Sequence, residues 1–417
     1  MADTATVRMY DVGFGDCFLL ELPRTTADRP FRVLVDCGAH TSGYPRAGWS
    51  PDDAVRAIIA DLGDAPRLDV VVATHRHQDH VSGFASDQWR GVEVGEVWMP
   101  WTEHPTDPEA REVRERQSRL ALGLDLAFDT QAFAERWTHP GPAGALRAVV
   151  RNSLTNTSAM RVLHHGFRGD PLRRFLAAAT PPVRLNPEGC PGLTVHVLGP
   201  SRDRDVIRDM DPPAGQSYLR HLAAAPAAAT QATYRPFDLH FALPADTYEA
   251  SAAYGPVADE GLKKAAVSAM RSDDFAAAVS LDKAVNGTSL MLVFAYRGAH
   301  LLFPGDAQWG TWQAALRDPA TRDLLAHTTF YKVGHHGSHN ATPVEFVADV
   351  LPAGRTLWAA AASVHPVANW PEIPREPLLA ALRERCDRVV RSDQPAHDLP
   401  GTAVREGIGV DFSVPLG

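Results

Sequence analysis

The stretch "THRHQDH" places His75, His77, Asp79 and His80 within six positions, directly after an apolar run. Imidazole nitrogens beside a carboxylate suit zinc, iron or manganese. An extended chain alternates its side chains, so His75, His77 and Asp79 can share one direction while His80 turns in where the chain bends. A single ion seldom takes four ligands from so short a segment. The economical arrangement is two ions, with His75 and His77 on one and Asp79 and His80 on the other. Only 18 of 417 residues are histidine, so chance is a poor source for this order.

Two later stretches repeat the pattern of an apolar strand ending in metal-suited residues. "HLLFPGDAQ" delivers Asp306 beside Gly305, and a carboxylate there can bridge two cations. "FYKVGHHGSHN" delivers His335, His336 and His339 beside Lys332 and Ser338, and one of these histidines should complete the second ion.

Elements that could hold these residues follow from periodicity. "VRMYDVGFGDCFLLELP" reads as two strands around a glycine turn, "FRVLVDCG" as another, and Leu68–Ala73 as a buried strand feeding the histidines. "SPDDAVRAIIADLGD" carries a Ser-Pro-Asp helix start and stops at Gly63. "VGEVWMPW" is the next strand. From about residue 101 to 275 the pattern becomes more helical and closes in an Ala/Pro-rich connector, "LAAAPAAATQATYRP". Strands and helices alternate again up to "IGVDFSV". The expectation is one α/β domain over residues 1–417, interrupted by a large, mostly helical insert at 101–275.

Composition narrows the class. Hydrophobic residues make up 45% and charged residues 22%, as in soluble globular proteins. No apolar stretch reaches bilayer length and the first residues lack a secretory leader pattern, so a cytoplasmic protein without a membrane partner is expected. A formal charge of −9 argues against a whole-surface nucleic-acid binder, leaving nucleic acid only as a possible substrate. Cys17, Cys37, Cys190 and Cys386 are scattered and form no CxxC pair; Cys17 and Cys37, in apolar strand-like contexts, read as small core residues. Trp98 and Trp101 beside His104 read as packing, His164-His165-Gly166 as a surface loop and His196 as a structural strand residue.

The order "DVGFGDCFLL", "LVDCG", "THRHQDH", "NGTSL", "FPGD", "KVGHHGS", "SVHP" resembles the metallo-β-lactamase superfamily. Within it, the chain is similar to the branch of the ComEC-type competence-protein hydrolase domain and the phosphorylcholine esterases. The matching blocks span about residues 7–100 and 275–415. The resemblance implies an αββα sandwich with a two-metal site at one edge, zinc or manganese. His75 and His77 would bind one ion, Asp79 and His80 the other, with Asp306 bridging and His336 completing the second. Adjacent histidines on a strand face opposite ways, so His335 is expected to hydrogen-bond beside the ligands. Many relatives add a third histidine to the first ion; here Asn286 of "NGTSL" stands in that region, expected to contact substrate or order the loop.

The expected chemistry is hydrolysis by a metal-bridging hydroxide held by Asp79 and the ions. Lys332, Ser338, His339 and Asn286 are expected to bind an anionic, phosphorylated substrate. His365 of "SVHP" is expected near the metals, protonating the leaving group. "NGTSL" with "KVGHHGS" favours a phosphodiesterase or nuclease. Hydrolysis of a lactone, thioester or β-lactam, or a non-catalytic metal-binding scaffold, are the alternatives.

Overall fold

Strands that are apolar on both faces must be covered on both sides. The computed structural model describes residues 3–24, 29–128, 156–218 and 284–417, the last stretch without 353, 355–357, 368–369 and 371. Its strands build two sheets. The first takes β1 (Thr4–Tyr10), β2 (Cys17–Leu22), β3 (Phe31–Cys37), β4 (Arg67–Val72), β5 (Glu93–Pro100) and β6 (Leu172–Leu176) side by side. The second runs in sequence from β7 (Val183–Leu185) through β8 (Leu193–Gly199), β9 (Met291–Tyr296), β10 (Ala299–Phe303), β11 (Phe330–Lys332) and β12 (Ala359–Ala362) to β13 (Val389–Arg391). The chain then returns to the first sheet, where β15 (Gly409–Pro415) pairs with β1 and β14 (Thr402–Arg405) forms the edge. Both sheets are mixed: β3 to β6 and β10 to β13 are parallel runs and the rest pair antiparallel.

Alternation decides which residues meet. Val7, Phe18, Val33, Val70 and Phe412 of the first sheet share one buried layer with Val195, Leu292, Phe294, Leu301 and Phe303 of the second. The opposite face of the first sheet, through Leu19, Leu34 and Val71, packs on α1 (Pro51–Leu62) and a later helix at Thr157–His165. On the second sheet, Val293, Leu302 and Tyr331 pack on Trp312, Leu325 and Leu379 of three further helices. The result is a mixed α/β architecture with helices outside two stacked sheets. All four cysteines are free and buried, Cys17 and Cys37 as their apolar contexts predict. Among the described residues, no helix is long and apolar enough to cross a membrane.

The structure redraws the expected insert. Residues Met1–Leu219 and Ala278–Gly417 form one compact unit. Residues 172–199, inside the stretch 101–275, supply β6 to the first sheet and β7 and β8 to the second. The helical content anticipated there is present at Pro108–Phe128 and Thr157–His165, while 129–155 and 219–283 lie outside the described residues. His164 and His165 end a helix instead of sitting in a loop, because the amphipathic run from Thr157 buries Met160 and Leu163.

One charged tie secures this unit. Asp61 near the end of α1 accepts from Tyr10 Oη and from both terminal nitrogens of Arg405 at 2.8 Å, with Arg8 Nη1 also 2.8 Å away. Burial alone would raise its pKa, but the Arg405, Tyr10 and Arg8 donors outweigh burial and hold the carboxyl below its ordinary value. Asp61→Asn should therefore cost about 1–3 kcal/mol at neutral pH, less than a fully buried pair because Arg405 is partly exposed, read from urea unfolding. A depressed folded-state pKa stabilises above the unfolded value, and the contribution is lost as pH falls through the folded one. The gap between wild type and variant should close in strong acid; an undiminished gap there would count against the ion-pair origin.

Candidate metal centre

The carboxyl ends of β3 and β4 in one sheet, and of β10, β11 and β12 in the other, lead into the loops that carry the candidate ligands. Leu290 N–H donates to Thr74 O at 2.8 Å, stitching the segment before β9 to the end of β4. All six sequence-derived ligands come together there, none more than 5% exposed.

Their donor atoms face one another. His80 Nε2 lies 3.2 Å from Asp306 Oδ2, and His336 Nε2 lies 3.1 Å from Asp79 Oδ2. Asp79, His80, Asp306 and His336 can place one ligand atom each within 4.8 Å of all the others. His75 Nε2 and His77 Nδ1 are 3.1 Å apart, and His75 Nε2 is 3.9 Å from Asp306 Oδ2. Atoms bound to one ion at about 2.0–2.1 Å sit roughly 3–4 Å from each other, so both groupings have the spacing and chemistry of ligand sets. Asp306 adjoins both. Its Oδ1 is buried without a hydrogen bond among the described residues.

The charge balance also favours cations. Around the His80 ring stand Asp36 at 2.8 Å, Asp306 at 3.2 Å, Asp16 at 3.5 Å and Asp79 at 3.9 Å. Burial would lower the His80 pKa, but Asp306, Asp36, Asp16 and Asp79 push it well above its ordinary value. In return, although burial would raise them, Asp79 and Asp306 are held well below the usual carboxylate range, chiefly by His80. His75 is pushed well down by burial and by the positive His80. Four carboxylates face Lys332 and the two histidines, His80 and His336, whose pKa they raise, and divalent cations could take the place of those protons.

Local backbone explains the aim of each group. Asp36 has φ of 57°, an uncommon conformation for a non-glycine residue. It turns the carboxylate to accept from Thr74 N–H and Thr74 Oγ at 2.7 Å and to face His80 Nδ1. Gly38 lets the end of β3 touch the short helix α2 (Gln78–Val81), since a Cβ there would lie 2.4 Å from His80 N. His335 and His336 occupy consecutive left-handed positions, φ 45° and 51°. They are therefore not on opposite faces of a strand, as simple alternation would have them. His336 is fully buried with its Nδ1 2.9 Å from Ser363 O, while His335 Nε2 still reaches to 3.8 Å from Asp306. Phe14 packs on His336 at 4.4 Å between ring centroids and stacks on Trp370.

The expected substrate-binding residues are placed differently from the candidate ligands. Lys332 is buried, its ammonium in direct contact with Asp16 and 3.4 Å from Gly305 O, so it serves the cluster from within and does not face an incoming anion. Ser338 is buried and donates to Asn340 Oδ1 at 3.0 Å. Asn286 is fully buried in the turn before β9, and its carbonyl accepts from Ser289 N–H. His339 is half-buried, its carbonyl accepting from Ser217 Oγ. His365 is half-buried beyond β12 within electrostatic reach of Asp11. Asp16, Asp36 and Thr74 are functional neighbours that sequence reasoning passed over. Asp36 had a readable signal, the carboxylate closing the apolar strand of "FRVLVDCG", the pattern that singled out Asp306. Asn156, whose Nδ2 donates to Arg76 O at 2.5 Å between two ligands, had none.

No protein-family model matches the chain, and no curated protein matches it.

Proposed function

We propose that the chain is a hydrolase of the metallo-β-lactamase fold that works with two divalent ions, zinc or manganese, on phosphodiesters. The observation that carries this reading is the buried set Asp79, His80, Asp306 and His336, adjoined through Asp306 by the pair His75 and His77. The phosphodiester assignment draws on "NGTSL" and "KVGHHGS".

His75, His77 and Asp306 would hold one ion, and Asp79, His80, Asp306 and His336 the other. Such a pair supplies an acidified water and two positive charges for an oxyanion. The chain's own residues do the rest. Asp36 orients His80 through Nδ1, and Ser363 O orients His336 through its Nδ1, leaving each Nε2 for the ligand face. Asp79 stays ionised beside His80 and His336, as a ligand and proton acceptor must. Phe14 and Trp370 form an aromatic wall behind His336 that keeps water from that side. His365 is assigned as proton donor to the leaving group.

Metal analysis of undialysed protein should return two ions per chain. Bis(4-nitrophenyl) phosphate should be cleaved, the activity removed by chelation and restored by zinc or manganese. Active protein with only trace metal would defeat the reading. An inert diester together with turnover of a β-lactam, lactone or thioester would keep the metals and move the substrate class.

A further inference from the structure

Asp16 adjoins three members of the four-donor set and reaches the fourth through Lys332. Its N–H donates to Asp79 O at 2.8 Å. Its two oxygens lie 3.5 Å from His80 Nδ1 and 3.6 Å from His336 Nδ1, the nitrogens turned away from Asp306 and Asp79. Lys332 Nζ contacts Asp16 Oδ2 and lies 3.7 Å from Asp306 Oδ1, extending the same tie to the fourth donor. Asp16 is 1% exposed, and its Oδ1 has no hydrogen bond among the described residues.

On the strength of the proposed metal-dependent reading, we infer that Asp16 is a positioning residue for the second ion, one carboxylate that fixes both of its histidines and is itself fixed by Lys332. Asp36 and Ser363 O each hold a single ring, at 2.8 and 2.9 Å. Asp16 is the common neighbour of both rings. Its contacts to them are longer than hydrogen bonds and act through charge, which attracts the ring N–H dipoles and raises ligand basicity. The carboxylate sits in the β1–β2 loop, His80 follows β4 and His336 follows β11, so Asp16 couples the two sheets at their shared edge. Lys332 provides the buried counter-charge beside the Asp16 carboxylate.

The test is zinc affinity of metal-free protein, measured by competition with a chromophoric chelator, with cobalt(II) absorption reporting the ligand geometry. Asp16→Asn should weaken the second ion by roughly 10–100-fold and alter the cobalt spectrum, while the first ion changes little. Asp16→Asn combined with Lys332→Met should remain weak, because removing the lysine does not return the negative charge beside the two rings. Wild-type affinities in Asp16→Asn would overturn the inference. So would recovery in the double variant, which would mean that Asp16 only neutralises Lys332. If Asp16→Asn does not fold, Asp16→Glu keeps the charge for Lys332 but displaces the carboxyl, and the same loss is expected; wild-type affinities there would overturn the inference equally. Wild-type protein that takes up no ion would defeat the functional reading and this inference together, whereas two ions with unaffected variants would defeat the inference alone.

Discussion

Asp306→Asn is expected to weaken metal binding on both sides of the centre and to lower diester hydrolysis roughly 10³-fold, about 4 kcal/mol of barrier. Asp306 is the donor that stands 3.2 Å from His80 and 3.9 Å from His75, so both ligand groups lose a member at once. Asparagine keeps the volume, which separates loss of charge from loss of packing. His75→Ala should also abolish turnover but spare the set built on Asp79, His80 and His336. Metal content, turnover and circular dichroism on the same preparations would check this. Asp306→Asn protein that kept both ions and a tenth of its activity would remove Asp306 from the bridging role.

Replacing residues 101–275 with a short linker should yield no soluble protein, whereas replacing only 220–277 should leave the two-sheet unit folded and able to bind metal. The larger deletion removes β6, β7 and β8. With them go Leu176, Leu193, Val195 and Val197, all buried in the layer between the sheets. At about 1.5–3 kcal/mol per fully buried side chain, these four account for roughly 6–12 kcal/mol, comparable to the whole stability of a domain. The smaller deletion lies outside the compact unit Met1–Leu219 and Ala278–Gly417. Expression, gel filtration and metal analysis of both deletions decide the matter. Soluble, metal-binding protein from the larger one would show that the three strands are dispensable.

Short-range patterns were the part legible in the sequence. The strand before Thr74, the helix from Pro51 bounded by Ser50 and Gly63, and the ligand spacing of "THRHQDH" all rest on neighbours a few positions apart. The edge strands were hard to read for a physical reason: "AMRVLHHGFRGDPLRRFL", which carries β6, mixes strand and helix cues. β6 and β7 close the ends of the two sheets, where a strand is partly exposed and carries charges such as Arg173, Arg174 and Arg184, so neither has a continuous apolar run.

The chemistry divides along the same line. Residue types and local spacing determined that His75, His77, Asp79 and His80 form one group and that Asp306 and one of the histidines of "KVGHHGSHN" follow later strands. Only the tertiary structure decided that His80 meets Asp306 across 226 positions and His336 meets Asp79 across 257. It also decided that Asp16 and Asp36 converge on His80, and that Lys332 is spent on Asp16 instead of an anion. A carboxylate's or ammonium's partner is set by which loops share a sheet edge. That depends on how distant strands stack, because burial leaves a charge no stable place except beside its opposite.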